Sequence, residues 1–270
     1  MEKDVFKEYF FRYVTELDKT ISVEAALYAL NGKGKRSRFL LSLNTAKDIG
    51  VCDENAIRLA IAVELIHNYS LIHDDLPIMD NSDFRRGKPS CHKIYGDAQA
   101  VLAGDGLLNL AAEVVLGGDN AHYNYLPAAK YIFECSGFNG MVGGQSKDVM
   151  ENAKITKEEY FFLVKNKTAK LIEAAIVPQV IYANKNDNIV ARLTDFAYNL
   201  GMAYQFADDL ADAEEDAKKA SILTYFDLPQ AIKLVEKLCD TALKNLDSAK
   251  IQSQFLTNSV NAVLKRAQNG

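Results

Sequence analysis

The sequence lacks most of the features that divide a chain into parts or carry it into a membrane. Its 270 residues contain no Pro- or Gly-rich linker, no low-complexity tract and no internal repeat, so a single domain over residues 1–270 is the simplest prediction. The N-terminus is charged and has no apolar signal core, and no run approaches the ~18 apolar residues of a membrane span. We therefore expect a cytoplasmic protein without a membrane span.

A basic surplus and clustered sulfur ligands are also missing. The net charge is −5, which argues against a nucleic-acid binder, whose footprint is a basic patch. An anionic ligand would have to be held by a local cluster of cations. The cysteines are scattered and form no CxxC pair, so we interpret them as reduced, buried thiols rather than metal ligands; they are Cys52, Cys91, Cys135 and Cys239.

What the sequence does contain is one helical pattern after another. Apolar residues recur at three- and four-residue spacing from Phe6 to Leu17, and N-cap signals open later segments. A nearly continuous apolar helix follows Asp53, and at 1.5 Å per residue it would be about 30 Å long and buried on most sides. The pattern predicts an all-α fold of roughly ten or more helices. Further caps are expected at Asp97 and Thr156 (with Glu159), and a kink is expected at Pro178. A later helix is expected after Asp227, with Pro229 in its first turn.

The segment from His73 to Lys88 concentrates four carboxylates and three fixed cations. Carboxylates at this density suit a hard cation such as Mg²⁺ rather than Zn²⁺, and the arginines that follow suit phosphate oxygens. We therefore hypothesise that the segment binds a diphosphate. The alternative is a solvated charged loop between helices.

Asp74 and Asp80 could share a metal only if the helix ends between them. On an unbroken helix they would lie roughly 240° apart. Pro77 cannot continue the hydrogen-bond ladder, and the residue before it leaves the helical region. We expect the helix to open near Leu76 and the following loop to fold back, which would bring Asp80 beside Asp74.

Two further segments are candidates for the same ligand. The turn Asn31–Arg38 combines glycines and cations at a helix N-terminus, where backbone amides favour an anion, although a solvated basic turn is an equal alternative. His67 lies two turns before Asp74 and so shares its helix face, but an ordinary interior histidine is the alternative. His73 lies about 100° round the helix and gains no such support.

A second acidic cluster ends a later apolar helix. Asp208 and Asp212 are one turn apart, and like charges at a helix C-terminus are unfavourable without a counterion. The alternative is a solvated acidic helix end. If the helices that carry the two clusters pack side by side, the clusters face one another above an apolar channel, which fits a diphosphate with a hydrocarbon tail.

Taken together, these motifs resemble those of the trans-isoprenyl diphosphate synthases, and within that family the bacterial farnesyl diphosphate synthases. Asp74–Asp80 followed by Arg85 and Arg86 is similar to the first aspartate-rich motif, DDxxxxD, and Asp208–Asp212 to the second, DDxxD. The resemblance extends over about residues 32–231. Other matches in order are Gly34–Arg38, Glu64–His67, Cys91–His92, Gly143–Gln145 and Lys167–Thr168.

The resemblance implies an isoprenoid synthase fold, a helical bundle around a central cavity. It also implies a Mg²⁺-dependent condensation of isopentenyl diphosphate with dimethylallyl or geranyl diphosphate to farnesyl diphosphate, by ionisation, condensation and elimination. Three magnesium ions would accompany the bound diphosphate, with Mn²⁺ as a substitute. The protein would be a homodimer.

The resemblance also assigns roles to residues. The diphosphate of isopentenyl diphosphate would be bound by Lys35, Arg38, His67 and Arg86. The allylic diphosphate would be bound by Arg85, Lys167, Thr168, Gln205 and Lys219. The principal metal ligands would be Asp74, Asp80 and Asp208, with Asp75, Asp209 and Asp212 supporting or sharing that role and Asp105 nearby. The catalytic set comprises Asp74, Asp75, Asp80, Asp208, Arg85 and Arg86. Product length would be set by Tyr69 and Ser70; ordinary packing is the alternative role for Tyr69.

The segment after the second acidic motif departs from the family pattern. Only residues 214–218 intervene before Lys219, and Ala220–Thr224 replaces the usual Thr-Tyr-Pro segment, which puts the match of Lys219 and closure of the site in question. Three alternatives stay open: a geranylgeranyl or other short-chain product, a terpene cyclase, and a non-catalytic partner subunit. A cyclase would not need Lys35, Arg38 and His67, and an inactive partner usually loses acid ligands that this chain retains.

Overall fold

The described part of the chain is mainly helical, which confirms the predicted all-α class. A computed structural model describes residues 2–15, 17–32, 34–149, 155–211 and 220–269, without the side chains of residues 2–5. These ranges contain thirteen α-helices, one π-helical turn, one short 3₁₀ helix and a two-stranded hairpin. The chain divides into unit 1, Met1–Leu43 and Cys52–Tyr125, and unit 2, Asn44–Val51 and Leu126–Gly270. That these units form one domain stays a prediction.

Unit 1 is built on two long helices, α4 and α6, that pack along one another, with α2 and α5 on α6 and α1 on α4. Its elements are α1 (Glu2–Val14), α2 (Ile21–Leu30), the start of α3 (Ser37–Ile49), α4 (Glu54–Asp74), β1 (Phe84–Arg85), β2 (Lys88–Pro89), α5 (Cys91–Tyr95) and α6 (Asp97–Leu116).

Helix α4 carries the first acidic motif at its C-terminal end. The Asp53 side chain accepts a hydrogen bond of 2.9 Å from the backbone N–H of Ala56, which confirms the predicted N-cap. Fourteen of its twenty-one residues are buried, as the continuous apolar pattern predicts. The helix ends at Asp74, two residues before the predicted opening at Leu76. The acidic motif therefore starts on a rigid, buried element.

Helix α6 differs from prediction at its N-terminus and in its apolar character. It begins at Asp97 with Gly96 in the N-cap position at φ 81°, so the predicted Asp97 cap is wrong. By length and composition α6 could also cross a membrane, which the sequence analysis did not anticipate. Its most apolar 18-residue window is 44% buried in this structure, and core helices of soluble proteins have the same composition.

Unit 2 is centred on its longest helix, α11, which packs against α10, α12, α13 and the π-helical turn. Its elements are the end of α3, α7 (Tyr125–Ser136, from Leu126), α8 (Met141–Asp148), α9 (Lys157–Val164), the π-turn (Lys165–Ala169), α10 (Lys170–Tyr182), α11 (Asp187–Ala211), the 3₁₀ helix (Ile222–Thr224), α12 (Leu228–Ser248) and α13 (Gln254–Asn269). The predicted cap at Thr156 is confirmed as a complete capping box. The helix predicted after Asp227 is also confirmed, and Asp227 caps it with a second capping box.

The interruption between α9 and α10 lies at the π-turn, while Pro178 is inside α10. Glycines on two neighbouring helices lie against this turn. A Cβ built on Gly144 of α8 would be 2.3 Å from the backbone N of Lys167, and one on Gly201 of α11 would be 2.5 Å from the Cα of Ala169. Because neither glycine has a side chain, the backbones of α8 and α11 can approach the π-turn closely at these two positions.

The cysteines form no disulfide among themselves. Cys91, Cys135 and Cys239 are buried, as predicted, whereas Cys52 is exposed, because it lies in the turn before α4. Burial raises the pKa of Cys91 and Cys239 to about 11 and that of Cys135 to about 12. The three buried groups are therefore protonated, unreactive thiols at neutral pH.

We expect Gly201→Ala to destabilise the protein by about 1–3 kcal/mol, because the added methyl group would press on the backbone of the π-turn. Urea denaturation followed by circular dichroism measures this change. The matched control is Gly106→Ala in α6, where nothing lies within 4 Å of the added Cβ and a neutral or stabilising effect is expected. Equal free energies of unfolding for wild type and Gly201→Ala would contradict the close packing.

Candidate functional site

The loop after α4 folds back over the end of that helix. The backbone N–H of Asp80 donates to the carbonyl of Asp74 at 2.9 Å, and that of Asn81 donates to Leu76 at 3.0 Å. Pro77 lies between these contacts and cannot continue the helix. The predicted return of Asp80 beside Asp74 is therefore confirmed for the backbone.

The two arginines of the first motif lie on a hairpin that the sequence analysis did not predict. Strands β1 and β2 are antiparallel, with Arg85 opposite Lys88. The turn between them consists of Arg86 at φ 56° and Gly87 at φ 75°, and two positive φ angles are typical of a tight two-residue hairpin turn. The usual Asn-Gly or Asp-Gly signal is absent here, which is why the pattern was missed.

Asp75 and Arg85 form an ion pair in which the carboxylate is buried and the arginine is partly exposed. Asp75 is 2% exposed, and its carboxylate accepts hydrogen bonds from Arg85 Nε at 3.0 and 3.2 Å and a further one from Nη2. Burial by itself lowers the pKa of Arg85, but the hydrogen bonds and charge of Asp75, with the charges of Asp74 and Asp80, raise it overall. The acidic loop and this arginine thus lie in one electrostatic environment, and Asp75 orients Arg85.

The basic turn before α3 is anchored by a fully buried carboxylate. Arg36, at φ 51°, donates to Glu64 Oε1 at 3.2 Å, and the backbone N–H of Phe39 donates to Glu64 Oε2 at 3.3 Å. Asn68 Nδ2 also donates to Glu64 Oε1, at 3.1 Å. Because a buried charge needs a partner, Glu64 fixes the turn that carries Lys35 and Arg38 to helix α4.

The hairpin meets this turn through Arg86. Its Nη1 donates to Asn68 Oδ1 at 3.4 Å, and a Cβ on Gly34 would lie 2.6 Å from the same nitrogen. The arginine therefore crosses the turn where a side chain on residue 34 would block it. Asn68 is a link that sequence reasoning missed, although its position one turn after Glu64 on the same helix face could have indicated it.

His67 contacts the same cationic group. Its Nε2 lies 3.0 Å from Arg38 Nη1, and because arginine can only donate, Nε2 must accept and the ring is neutral. Burial, followed by the charges of Arg38, Arg86 and Arg36, lowers the pKa of His67 well below 6.5. The predicted placement of His67 in a cationic site is consistent with this contact.

The remaining unit 1 candidates occupy different environments. Lys35 is exposed. Tyr69 is 8% exposed and packs edge-on against the ring of His73, while the Ser70 hydroxyl donates to the carbonyl of His67 at 2.9 Å. Asp105 lies 3.9 Å from His73 Nε2 and is more than half exposed.

In unit 2, the candidates of the π-turn are hydrogen-bonded to neighbouring helices. Lys167 pairs with Asp148 at the end of α8. The Thr168 hydroxyl donates to Gln205 Oε1 at 2.7 Å, and Gln205 Nε2 donates to Asp209 Oδ1 at 2.9 Å. Both predicted site residues of the π-turn therefore have side-chain partners within unit 2, and π-turns often occur at functional sites.

The aspartates of the second motif differ in their partners. Asp208 forms an ion pair of 2.7 Å with Arg266 of α13. Asp209 accepts from the hydroxyl of Tyr160 and, at 2.8 Å, from the backbone N–H of Ile222. Asp212 and Lys219, both predicted site residues, lie outside the described residues. No local pattern could have indicated Arg266, which is 58 positions from Asp208 in the sequence.

The described acidic residues fit Mg²⁺ by their chemistry. Asp74 and Asp80 are joined by a backbone hydrogen bond, and both side chains carry hard carboxylate oxygens. Mg²⁺ is usually held by one or two carboxylates together with phosphate oxygens of the substrate. Over the ranges that the structure describes, no group of three or more His, Cys, Asp or Glu side chains is arranged to hold a metal. The donor set therefore fits a metal that is bound together with a phosphate ligand.

Histidine 67 should make the stability of the protein depend on pH. Between its lowered native pKa and its unfolded value of about 6.5, the unfolded state binds more protons, so the free energy of unfolding should fall as pH decreases from about 7.5 to about 5.5. His67→Gln keeps an acceptor for Arg38 and should give a shallower dependence. Urea denaturation at several pH values measures both slopes, with His122→Gln, at an exposed position, as the control. Equal slopes in wild type and His67→Gln would refute the neutral histidine.

With this geometry defined, comparisons with known proteins identify the family. Residues 19–229 match the family model described as polyprenyl synthetase. This match covers most of the chain, and the chain belongs to the polyprenyl synthetase family. The resemblance drawn from the motifs is therefore confirmed.

The similar proteins are named as synthases of prenyl diphosphates. The chain is 38% identical over 212 residues to the farnesyl diphosphate synthase of Bacillus subtilis (strain 168), covering 77% of this chain and 72% of the relative. It is 37% identical over 260 residues to a chloroplastic geranylgeranyl pyrophosphate synthase of Capsicum annuum, covering 88% and 68%. The crystal structure of a geranyltransferase from Legionella pneumophila superposes with a TM-score of 0.90 at 31% identity, covering 98% and 94%.

Proposed function

We propose that this chain is a prenyltransferase that condenses isopentenyl diphosphate with dimethylallyl and geranyl diphosphate to give farnesyl diphosphate. The observation that carries the proposal is the grouping, within unit 1, of the acidic loop, the arginine hairpin, the basic turn and His67. The charges of Asp74 and Asp80 act on Arg85, and those of Arg36, Arg38 and Arg86 act on His67. Such a site neutralises an anion that itself carries divalent cations.

The basic part of unit 1 is suited to the diphosphate of isopentenyl diphosphate. Arg38 and Arg86 present guanidinium groups to one region, and the exposed ammonium of Lys35 extends from the same turn. His67 accepts from Arg38 through Nε2, so its Nδ1–H can donate to a phosphate oxygen. A neutral histidine adds a directed donor without adding to the repulsion among the arginines.

The allylic diphosphate requires groups that stabilise it as a leaving group. Arg85, oriented by Asp75, supplies a fixed guanidinium, and Lys167 and Gln205 of unit 2 supply further donors in the proposal. Thr168 would donate once its hydroxyl exchanges Gln205 Oε1 for a phosphate oxygen. Lys219 keeps its proposed role, although it lies outside the described residues. Preorganised donors aimed at developing negative charge lower the barrier to breaking the allylic C–O bond.

Asp74, Asp80 and Asp208 are the proposed principal ligands of Mg²⁺, with Asp75, Asp209 and Asp212 in supporting positions. Three ions are expected with diphosphate bound, and Mn²⁺ should substitute. When bound, the metal neutralises charge on the departing diphosphate. At Asp208 the carboxylate must exchange its partner Arg266 for the metal. The double bond of isopentenyl diphosphate is itself the nucleophile, so no side-chain nucleophile is required, and released diphosphate accepts the proton.

The direct test is incubation of the purified protein with Mg²⁺, isopentenyl diphosphate and dimethylallyl or geranyl diphosphate, followed by sizing of the products. Asp74→Ala and Asp208→Ala should each lower the rate by orders of magnitude with the fold preserved, because each removes a proposed metal ligand. Asp83→Ala is the matched control, because Asp83 lies in the same segment but pairs with Lys93 at the surface. Absence of any elongated product would defeat the proposal and favour the non-catalytic partner subunit.

Product length should depend on Tyr69, which lies five residues, or about 7.5 Å, before Asp74 along α4. We propose that its buried ring limits the chain to the fifteen carbons of farnesyl diphosphate; a geranylgeranyl product is the alternative, since relatives with that name are also similar. Tyr69→Ala should shift the products toward longer chains, and Tyr69→Phe, which keeps the ring, should not. Chromatography of the dephosphorylated products measures the distribution. An unchanged distribution in Tyr69→Ala would assign the ring to packing alone.

We also propose that the protein is a cytoplasmic homodimer, as the family resemblance implies. Light scattering coupled to size-exclusion chromatography would determine the number of chains. A monomeric mass at the concentrations used for activity would reject the dimer.

A further inference from the structure

Asp209 is the point at which three segments of unit 2 meet. Its Oδ1 accepts from Gln205 Nε2, one turn earlier on α11, at 2.9 Å. Its Oδ2 accepts from the Tyr160 hydroxyl of α9 and from the backbone N–H of Ile222 at 2.8 Å. One carboxylate therefore joins α9, α11 and the 3₁₀ helix.

The donors to Asp209 are fixed by their own packing. Tyr160 is 1% exposed, and its ring packs against Phe206 and Tyr225. Burial and the charge of Asp209 raise the pKa of the Tyr160 phenol, so the hydroxyl stays protonated and donates. The Ile222 side chain is fully buried, which holds its N–H in place. A metal at Asp209 would compete with three hydrogen bonds, whereas at Asp208 it would replace one arginine.

The hydrogen bonds continue from Asp209 to the π-turn. Gln205 donates through Nε2 to Asp209 and accepts through Oε1 from the Thr168 hydroxyl at 2.7 Å. Because one end of the amide can only donate and the other only accept, the carboxylate determines which end faces Thr168. Gly201, one turn before Gln205, lies against the backbone of Ala169 in the same π-turn. The orientation of Thr168 is thus linked to Asp209 by two directed hydrogen bonds.

We propose that Asp209 is a positioning residue and not a ligand of the metal: together with Tyr160 it orients Gln205 so that the second Nε2–H of this amide serves the allylic diphosphate, while Thr168 holds the other end of the amide. This role rests on the proposed function of Gln205. The adjacent aspartates of the second motif would then have different tasks, Asp208 binding metal and Asp209 holding the Gln205 donor for the phosphate.

The test compares Tyr160→Phe, which removes only the donor hydroxyl, and Asp209→Asn with wild type. Both should raise KM for the allylic diphosphate by about tenfold, as expected when a buried hydrogen bond is lost. The Mg²⁺ concentration for half-maximal rate and KM for isopentenyl diphosphate should not change. The matched control is Tyr131→Phe, which removes another tyrosine–carboxylate hydrogen bond of unit 2, to Glu173, and should alter none of the three values.

Calorimetric binding of inorganic pyrophosphate in the presence of Mg²⁺ gives a readout that does not depend on turnover. Affinity should fall about tenfold in both variants and stay unchanged in Tyr131→Phe. A higher Mg²⁺ requirement in Asp209→Asn would make this residue a metal ligand and overturn the proposal, as would unchanged KM and pyrophosphate affinity in Tyr160→Phe. If wild type elongates no substrate, the proposed function fails, and the pyrophosphate affinities still decide the positioning role.

Discussion

The end of α4 at Asp74, three residues before Pro77, is the constraint from which the unit 1 site follows. A helix as long as α4 buries most of its faces in the core. If it continued past Asp74, the aspartates that follow would point in different directions round the helix axis. The proline stops the hydrogen-bond ladder, the next turn of chain bonds back to the carbonyl of Asp74, and the hairpin with its two arginines comes next. Pro77, which has no amide proton, thus ends the helix so that the acidic loop and the arginine hairpin lie in the same region of unit 1.

Charge in this region is balanced in pairs before any ligand binds. Glu64 compensates Arg36, Asp75 compensates Arg85, and in unit 2 Asp148 compensates Lys167. Burying a single charge is strongly unfavourable, and a partner with good geometry offsets most of that penalty. An acidic protein can therefore keep a local cationic site without a basic surplus. In these pairs Glu64 and Asp75 orient the arginines that they contact.

Features that depend on local chemistry could be predicted from the sequence. The caps at Asp53 and Thr156 need only residues within one turn, and the return of Asp80 follows from the restriction at Pro77. What could not be predicted depends on contacts between distant segments or on unusual backbone. The hairpin uses an Arg-Gly turn, the π-turn depends on glycines from two other helices, and the partners Arg266 and Tyr160 are remote in sequence from the aspartates they contact.

The π-turn also fixes the number of residues between Tyr160 of α9 and the start of α10 at Lys170. A π-helical turn holds one residue more than an α-helical turn, and each residue of helix corresponds to a rotation of about 100°. Deleting a single residue from Lys165–Ala169 would rewind the turn as regular α-helix and rotate α9 by that angle relative to α10. Tyr160 would then face away from α11. The number of residues in this turn therefore matters because it sets the rotation of α9, and not because it sets the distance that the chain spans.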